Sequence, residues 1–134
     1  MAEPTAVVAD KGIRGGLNST ISAGIDKAIA VALNSGGTEP HDVILPSAGG
    51  PIFGISMEAI PQFSRGDVQL NQKAICTSGA AIAKAAAVAT DVAGKMVTAG
   101  TGDIIVGYLV KAAAGADELI EVELAGPGGG TVSP

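Results

Sequence analysis

TGDIIVGYLVKAAAGADELIEVELAG, residues 101–126, decides the fold. It reads as two β-strands joined by a turn. The first, Ile104 to Val110, is apolar at nearly every position, the pattern of a strand buried on both faces. The second alternates. Ile120, Val122 and Leu124 fall on one side while Glu121 and Glu123 fall on the other, as expected where one face meets a core and the other meets water.

The segments upstream carry the same signature. KAIAVAL (27–33) ends in the turn signal Asn34-Ser35-Gly36-Gly37, HDVILP (41–46) in Ser47-Ala48-Gly49-Gly50-Pro51, and PIFGISMEAI (51–60) at Pro61. DVQLNQKAIC (67–76) reads as one strand, with Val68, Leu70, Ala74 and Cys76 on one face and Asp67, Gln69, Asn71 and Lys73 on the other; Gln72 breaks the apolar side. KMVTA (95–99) resumes after Gly94. Between them the Ala-rich TSGAAIAKAAAVATDVAG (77–94) favours a short helix or an irregular turn over residues 80–88, with Thr77 or Ser78 available as an N-cap. The chain also echoes itself. VILPSAGGPIFGISMEA (43–59) resembles VTAGTGDIIVGYLVKA (97–112), each running from a Gly-rich turn into a strand with a central glycine, Gly54 or Gly107. A mid-strand glycine marks a bulge, a bend or a close backbone approach, so both are expected at corners of a small barrel.

The 134 residues fit one domain, which at this size buries roughly two-thirds of its unfolded surface. Its core is built from small side chains: there is no Trp, one Tyr, two Phe and 20 Gly. At about 25 cal/mol per Å² of buried apolar area, an Ala-rich core gains less than one of Leu and Phe. Glycines add to the entropy lost on folding. Such a domain gains stability by association with itself or a larger surface.

A net charge of −5 repels a phosphate backbone and excludes nucleic-acid binding as the main role. One cysteine, Cys76, allows no intramolecular disulfide and fits assembly in a reducing cytosol. No window reaches the 18 or so apolar residues of a membrane span, and Glu3 stands where a signal peptide would be basic.

Residues 1–26 differ in character: apolar Val7, Val8, Ile13, Leu17 and Ile21 are spaced by Gly12, Gly15, Gly16 and Gly24. They read either as an extended arm anchored on a partner through those five residues, by strand addition to a sheet edge, or as a flexible leader. The expected organisation is thus an arm (1–26), a compact β domain (27–126) and an exposed Gly/Pro tail (127–134): a mainly β fold, a small barrel or sandwich with one short helix.

No constellation amounts to an active site. His41 beside Asp42 is a candidate general base, and Cys76 a candidate nucleophile, but each reads better as structural: Cys76 lies on the apolar face of a strand. Asp117, Glu118, Glu121 and Glu123 offer carboxylates for a hard cation, yet a strand's wet face carries the same row. Arg65-Gly66-Asp67 spells an adhesion tripeptide and reads as a turn. Asn18-Ser19-Thr20 has the form of a glycosylation acceptor, which needs a secretion signal that is not seen. Gly100-Thr101-Gly102-Asp103 lacks the residues that complete a phosphate loop. No catalytic, metal-ligating or cofactor-binding residue is assigned.

The order Gly94-Lys95-Met96-Val97-Thr98-Ala99, a Gly/Asp turn, IIVGYLV with its central glycine, an Ala-rich turn and a closing strand resembles the small β-rich head decoration, or capsid-stabilising, proteins of tailed bacteriophages. The likeness spans about residues 43–125. It implies a non-enzymatic virion protein on the outer surface of the expanded capsid. Such a protein is assembled in the host cytoplasm, forms a homotrimer, needs no cofactor and clamps the major capsid protein lattice with its arm. The rival expectation is a carbohydrate-binding β module of a phage tail or fibre, disfavoured because only Phe53, Phe63 and Tyr108 are aromatic and two of these lie in expected strand interiors.

Overall fold

A computed structural model describes residues 12–126 and 130–133. Ten strands form: β1 (Ile13–Asn18), β2 (Ala30–Leu33), β3 (Val43–Ile44), β4 (Gly54–Ser56), β5 (Ser64–Gln69), β6 (Gln72–Thr77), β7 (Ala87–Thr90), β8 (Met96–Thr98), β9 (Gly107–Leu109) and β10 (Leu119–Leu124). They make two five-stranded antiparallel sheets, ordered β1-β5-β4-β2-β3 and β6-β10-β9-β7-β8. The mainly β expectation holds.

These orders are the same order twice. Counting each half from its own first strand, both read first, fifth, fourth, second, third. Each sheet curls until its first and last strands meet. Leu17 bridges Asp42 in parallel, donating its N–H to His41 O at 2.9 Å, and Ser78 bridges Met96 in parallel, with Gly79 N–H reaching Met96 O at 2.7 Å. The registers correspond as well: Val31 opposite Gly54 matches Val88 opposite Gly107, and Ser56 opposite Val68 matches Leu109 opposite Val122. Even the left-handed residues recur. Ten of the twelve residues with positive φ form five equivalent pairs: Gly12 and Gln72, Ala28 and Ala85, His41 and Gly94, Gly49 and Gly102, Phe63 and Asp117. The echo between residues 43–59 and 97–112 is thus the visible part of a duplication covering the described chain.

Gly54 and Gly107 occupy one role in the two halves, but not that of a barrel corner. A Cβ on Gly54 would run into Gln69 O and the Val68 side chain, and one on Gly107 into Glu123 O and the Val122 side chain. Each glycine lets its strand lie close against the fifth strand of its half, the close backbone approach that a mid-strand glycine permits.

Two cores result. Ile25, Ile29, Val31, Val43, Phe53, Ile60, Val68 and Leu70 fill the first half. The second is filled by its own Ala74, Cys76, Val88, Met96, Leu109 and Val122 together with Ala30, Ile52 and Ile55 from the first half. That shared packing joins the halves, reinforced by Thr77 N–H to Ala28 O at 2.9 Å and Ala30 N–H to Gly94 O at 2.8 Å.

Several expectations are corrected. The single strand over 67–76 is two strands in different sheets, β5 and β6, broken at Leu70-Asn71 where Gln72 takes φ 67°. Val68, Leu70, Ala74 and Cys76 are all buried, so the alternation survives the break and conceals it. No helix forms over 80–88, nor anywhere among the described residues; the irregular-turn alternative is what the chain adopts before β7. Ile82 exchanges backbone hydrogen bonds with Ala113 at 3.0 and 2.9 Å, and Ala85 has φ 66°. Tertiary pairing there outweighs alanine's helix propensity. The strand at 104–110 is not buried on both faces, because Tyr108 is 52% exposed. Residues 13–18, assigned from sequence to the arm, pair along their full length with β5 as the first strand of the domain. The described tail residues 130–132 are exposed, and they are also held by backbone: Thr131 O accepts from Ile105 N–H at 3.0 Å and Ser133 exchanges hydrogen bonds with Gly102 and Asp103, laying 131–133 along the start of the decisive stretch.

Candidate functional surface

The side chains singled out for chemistry are occupied structurally. Cys76 is fully buried in β6, where loss of solvent pushes its thiol up to about 12, far from the thiolate a nucleophile requires. His41 belongs to the other half, stacked on Phe53 with ring centroids 5.3 Å apart. Asp42 does not orient it: the Asp42 carboxylate accepts from Ser19 Oγ at 2.7 and 2.9 Å. The pair is therefore not a catalytic one.

Asn18 is wholly buried, its amide donating to Ile21 O at 3.0 Å and Ile60 O at 2.9 Å while its Oδ1 accepts from Ile21 N–H at 2.8 Å. A residue so placed closes the loop after β1 and is sealed from a glycan. Its counterpart in the second half is Ser78, also buried, donating to Gly115 O at 2.6 Å and accepting from Glu118 N–H at 3.0 Å. Arg65-Gly66-Asp67 lies inside β5 rather than on a turn, with Gly66 buried and the Arg65 guanidinium spent on Gly15 O and Pro40 O at 3.2 and 3.1 Å. Gly100-Thr101-Gly102-Asp103 is a turn closed on itself, Asp103 accepting from Gly100 N–H at 2.8 Å.

The acidic row is divided among cations and solvent. Asp117 pairs with Lys95 at 2.5 Å, and that hydrogen bond, then the carboxylate's charge, raises the Lys95 ammonium above its ordinary value. Glu121 lies 3.8 Å from Lys73. Among the described residues no three His, Cys, Asp or Glu side chains converge as metal ligands.

Of the five proposed anchors, Val7 and Val8 lie outside the described residues. Ile13 stands on β1 with its side chain exposed, whereas Leu17 and Ile21 are half-buried, Ile21 against the first core.

The structure gathers a face unforeseen from sequence. Across β6, β10 and the end of β9 the outward rows run Ile75, Glu121, Val110 and then Thr77, Leu119. Leu119 is 70% exposed and Ile75 46%. They border an open groove of about 580 Å³ lined also by Lys27, Lys111, Glu118 and Glu121. One signal was available in the sequence. Ile75 and Leu119 are apolar residues standing on the polar side of their strands' alternation, out of period with Ala74, Cys76, Ile120 and Val122.

The fold and this surface define a class: a duplicated, mainly β domain with buried polar residues spent on loop closure and its distinctive chemistry confined to an exposed face. No protein family's sequence profile matches the chain, and no curated protein matches it. Among solved structures it is similar to the head fiber gp8.5 N base of bacteriophage phi29, with a TM-score of 0.70 over 84% of this chain and 92% of that one. Sequence identity is 11%, so the likeness is one of fold.

Proposed function

We propose that this protein is a non-enzymatic structural component of a bacteriophage virion, seated on the outer capsid surface as a base module of the head-fibre kind. One observation carries the reading: the similarity to a head-fibre base runs over nearly the whole domain. The resemblance of residues 43–125 to capsid-stabilising proteins points to the same particle surface. In this role the domain contacts the major capsid protein, and it acts as a homotrimer that braces the lattice.

The experiment is co-sedimentation of purified protein with expanded capsids that lack it, together with capsid melting. Binding with a raised capsid melting temperature is expected, and removal of residues 1–11 weakens it. A protein that binds no such shell overturns the reading.

A second reading, a ligand-binding fibre module, draws on exposed aromatics: Phe63 is 78% exposed, and Tyr108 is outward-facing rather than interior. Phe63 lies in the turn before β5 of the first sheet and Tyr108 on β9 of the second; sugar recognition draws on such exposed rings. Retention on a polysaccharide column that is lost in Phe63→Ala would establish it in place of the first.

A further inference from the structure

The duplication supplies an internal control for every surface position. Matching the register of β6 and β10 to that of β1 and β5 places Ile75 at the site of Gly15, Leu119 at the site of Arg65 and Glu121 at the site of Asp67. The first half thus folds with glycine and arginine where the second exposes isoleucine and leucine. The fold itself does not require apolar side chains there. An exposed apolar cluster that is unnecessary to its own fold marks an interaction surface.

The rim of the groove indicates the occupant. Lys27 and Lys111 line the groove together with Glu118 and Glu121, so both signs of charge border the apolar pair. A surface of a single sign would select an oppositely charged foreign partner. A mixed rim instead offers each charge of an identical copy an opposite charge, which offsets the long-range repulsion between two chains of net −5. A domain whose cores rest on Ala, Val and Ile gains from covering Leu119 and Ile75, as an apolar centre inside a polar rim does in protein interfaces. We propose that the outer face of the second sheet, centred on Ile75 and Leu119, is the surface by which one copy of this protein binds a second copy.

Light scattering on the full chain at tens of micromolar, with sedimentation across a dilution series, tests this. The informative variant is Leu119→Arg, which installs the residue the first half carries at the equivalent place; Ile75→Thr is a milder second variant that keeps a β-branched strand residue. Wild type is expected to be oligomeric, and each variant to raise the dissociation constant, Leu119→Arg by about 100-fold as for an interface hot spot. Far-UV circular dichroism should be unchanged. A monomeric wild type, or variants that associate as wild type does, overturns the inference. So does a variant that keeps its oligomer and loses capsid binding, which would assign the face to the capsid. If wild type fails to bind capsids yet its association is broken by Leu119→Arg, the functional reading falls and this one stands.

Discussion

Cys76 shows how a chemically suggestive side chain becomes inert. It sits on β6 opposite Ile120 of β10, within the shared core and with no exposed surface, and burial lifts its thiol from an ordinary 9.0 to about 12. The folded state therefore keeps the proton through a range in which the unfolded chain gives it up. Because the folded value is the higher one, this contribution to stability is intact below pH 9 and declines as pH rises from 9 towards 12, by up to about 1.4 kcal/mol per pH unit. Two measurements check it. Iodoacetamide should leave the native protein unlabelled at pH 8 and label it fully in denaturant, and Cys76→Ala should flatten the fall in urea midpoint between pH 9 and 10.5. Rapid labelling of the native protein would show a thiol more open than this packing. The burial of Cys76 was readable from its place in the alternation with Val68, Leu70 and Ala74. The burial of Asn18 was not, because a polar residue goes inside only when the carbonyls of Ile21 and Ile60 converge on it, and their convergence is a property of the folded loop.

At the scale of elements, the junction between β5 and β6 is the point at which local pattern stopped being informative. Period-2 alternation records which side a residue faces, and a two-residue passage from one sheet into another preserved the facing of Leu70 and Ala74. The one local sign was Gln72, polar on the apolar side, and its backbone lies in the left-handed region at φ 67°. The equivalent residue in the first half is Gly12, at φ 72°. A side chain in that region costs about 1–2 kcal/mol, of which a glycine's extra freedom in the unfolded chain returns about 0.5–1. Gln72→Gly is accordingly expected to stabilise the protein by about 0.5–1 kcal/mol, read as a higher urea midpoint at unchanged slope. A lower midpoint would mean that the Gln72 side chain holds the junction. The Ala-rich stretch before β7 failed as a helix for a related reason: Ile82 spends its backbone groups on Ala113, which lies far away in sequence, and propensity carries no knowledge of that partner.

The molecule as a whole is a duplication of structure with little duplication of sequence. Only the segments around Gly54 and Gly107 kept enough likeness to be noticed, since there a Cβ would strike the neighbouring strand's backbone in both halves and the residue could not change. Elsewhere the register is preserved by burial, which many small apolar residues satisfy equally well, so the text drifted while the order of strands did not. The halves are nevertheless not independent. Ala30, Ile52 and Ile55 belong to the first half in sequence and to the second core in space. One cooperative thermal transition is therefore expected for the full chain, with calorimetric and van't Hoff enthalpies in agreement, and a fragment spanning residues 72–134 should show no sigmoidal melt. Two separated transitions, or a folded fragment, would show that the shared core contributes less than its placement implies.

The meeting of first and last strands within each half bears on how the protein behaves in a crowd. An open sheet presents a row of unpaired backbone groups on which another chain can add a strand, and closure removes that row. Here Leu17 with Asp42, and Ser78 with Met96, bring the outermost strands of each sheet together, while Thr131 and Ser133 occupy the backbone of Gly102 to Ile105. Where its main-chain edges are engaged in this way, the domain meets its neighbours through side chains. Many copies brought to high local concentration would then assemble with a defined geometry instead of growing into cross-strand aggregates.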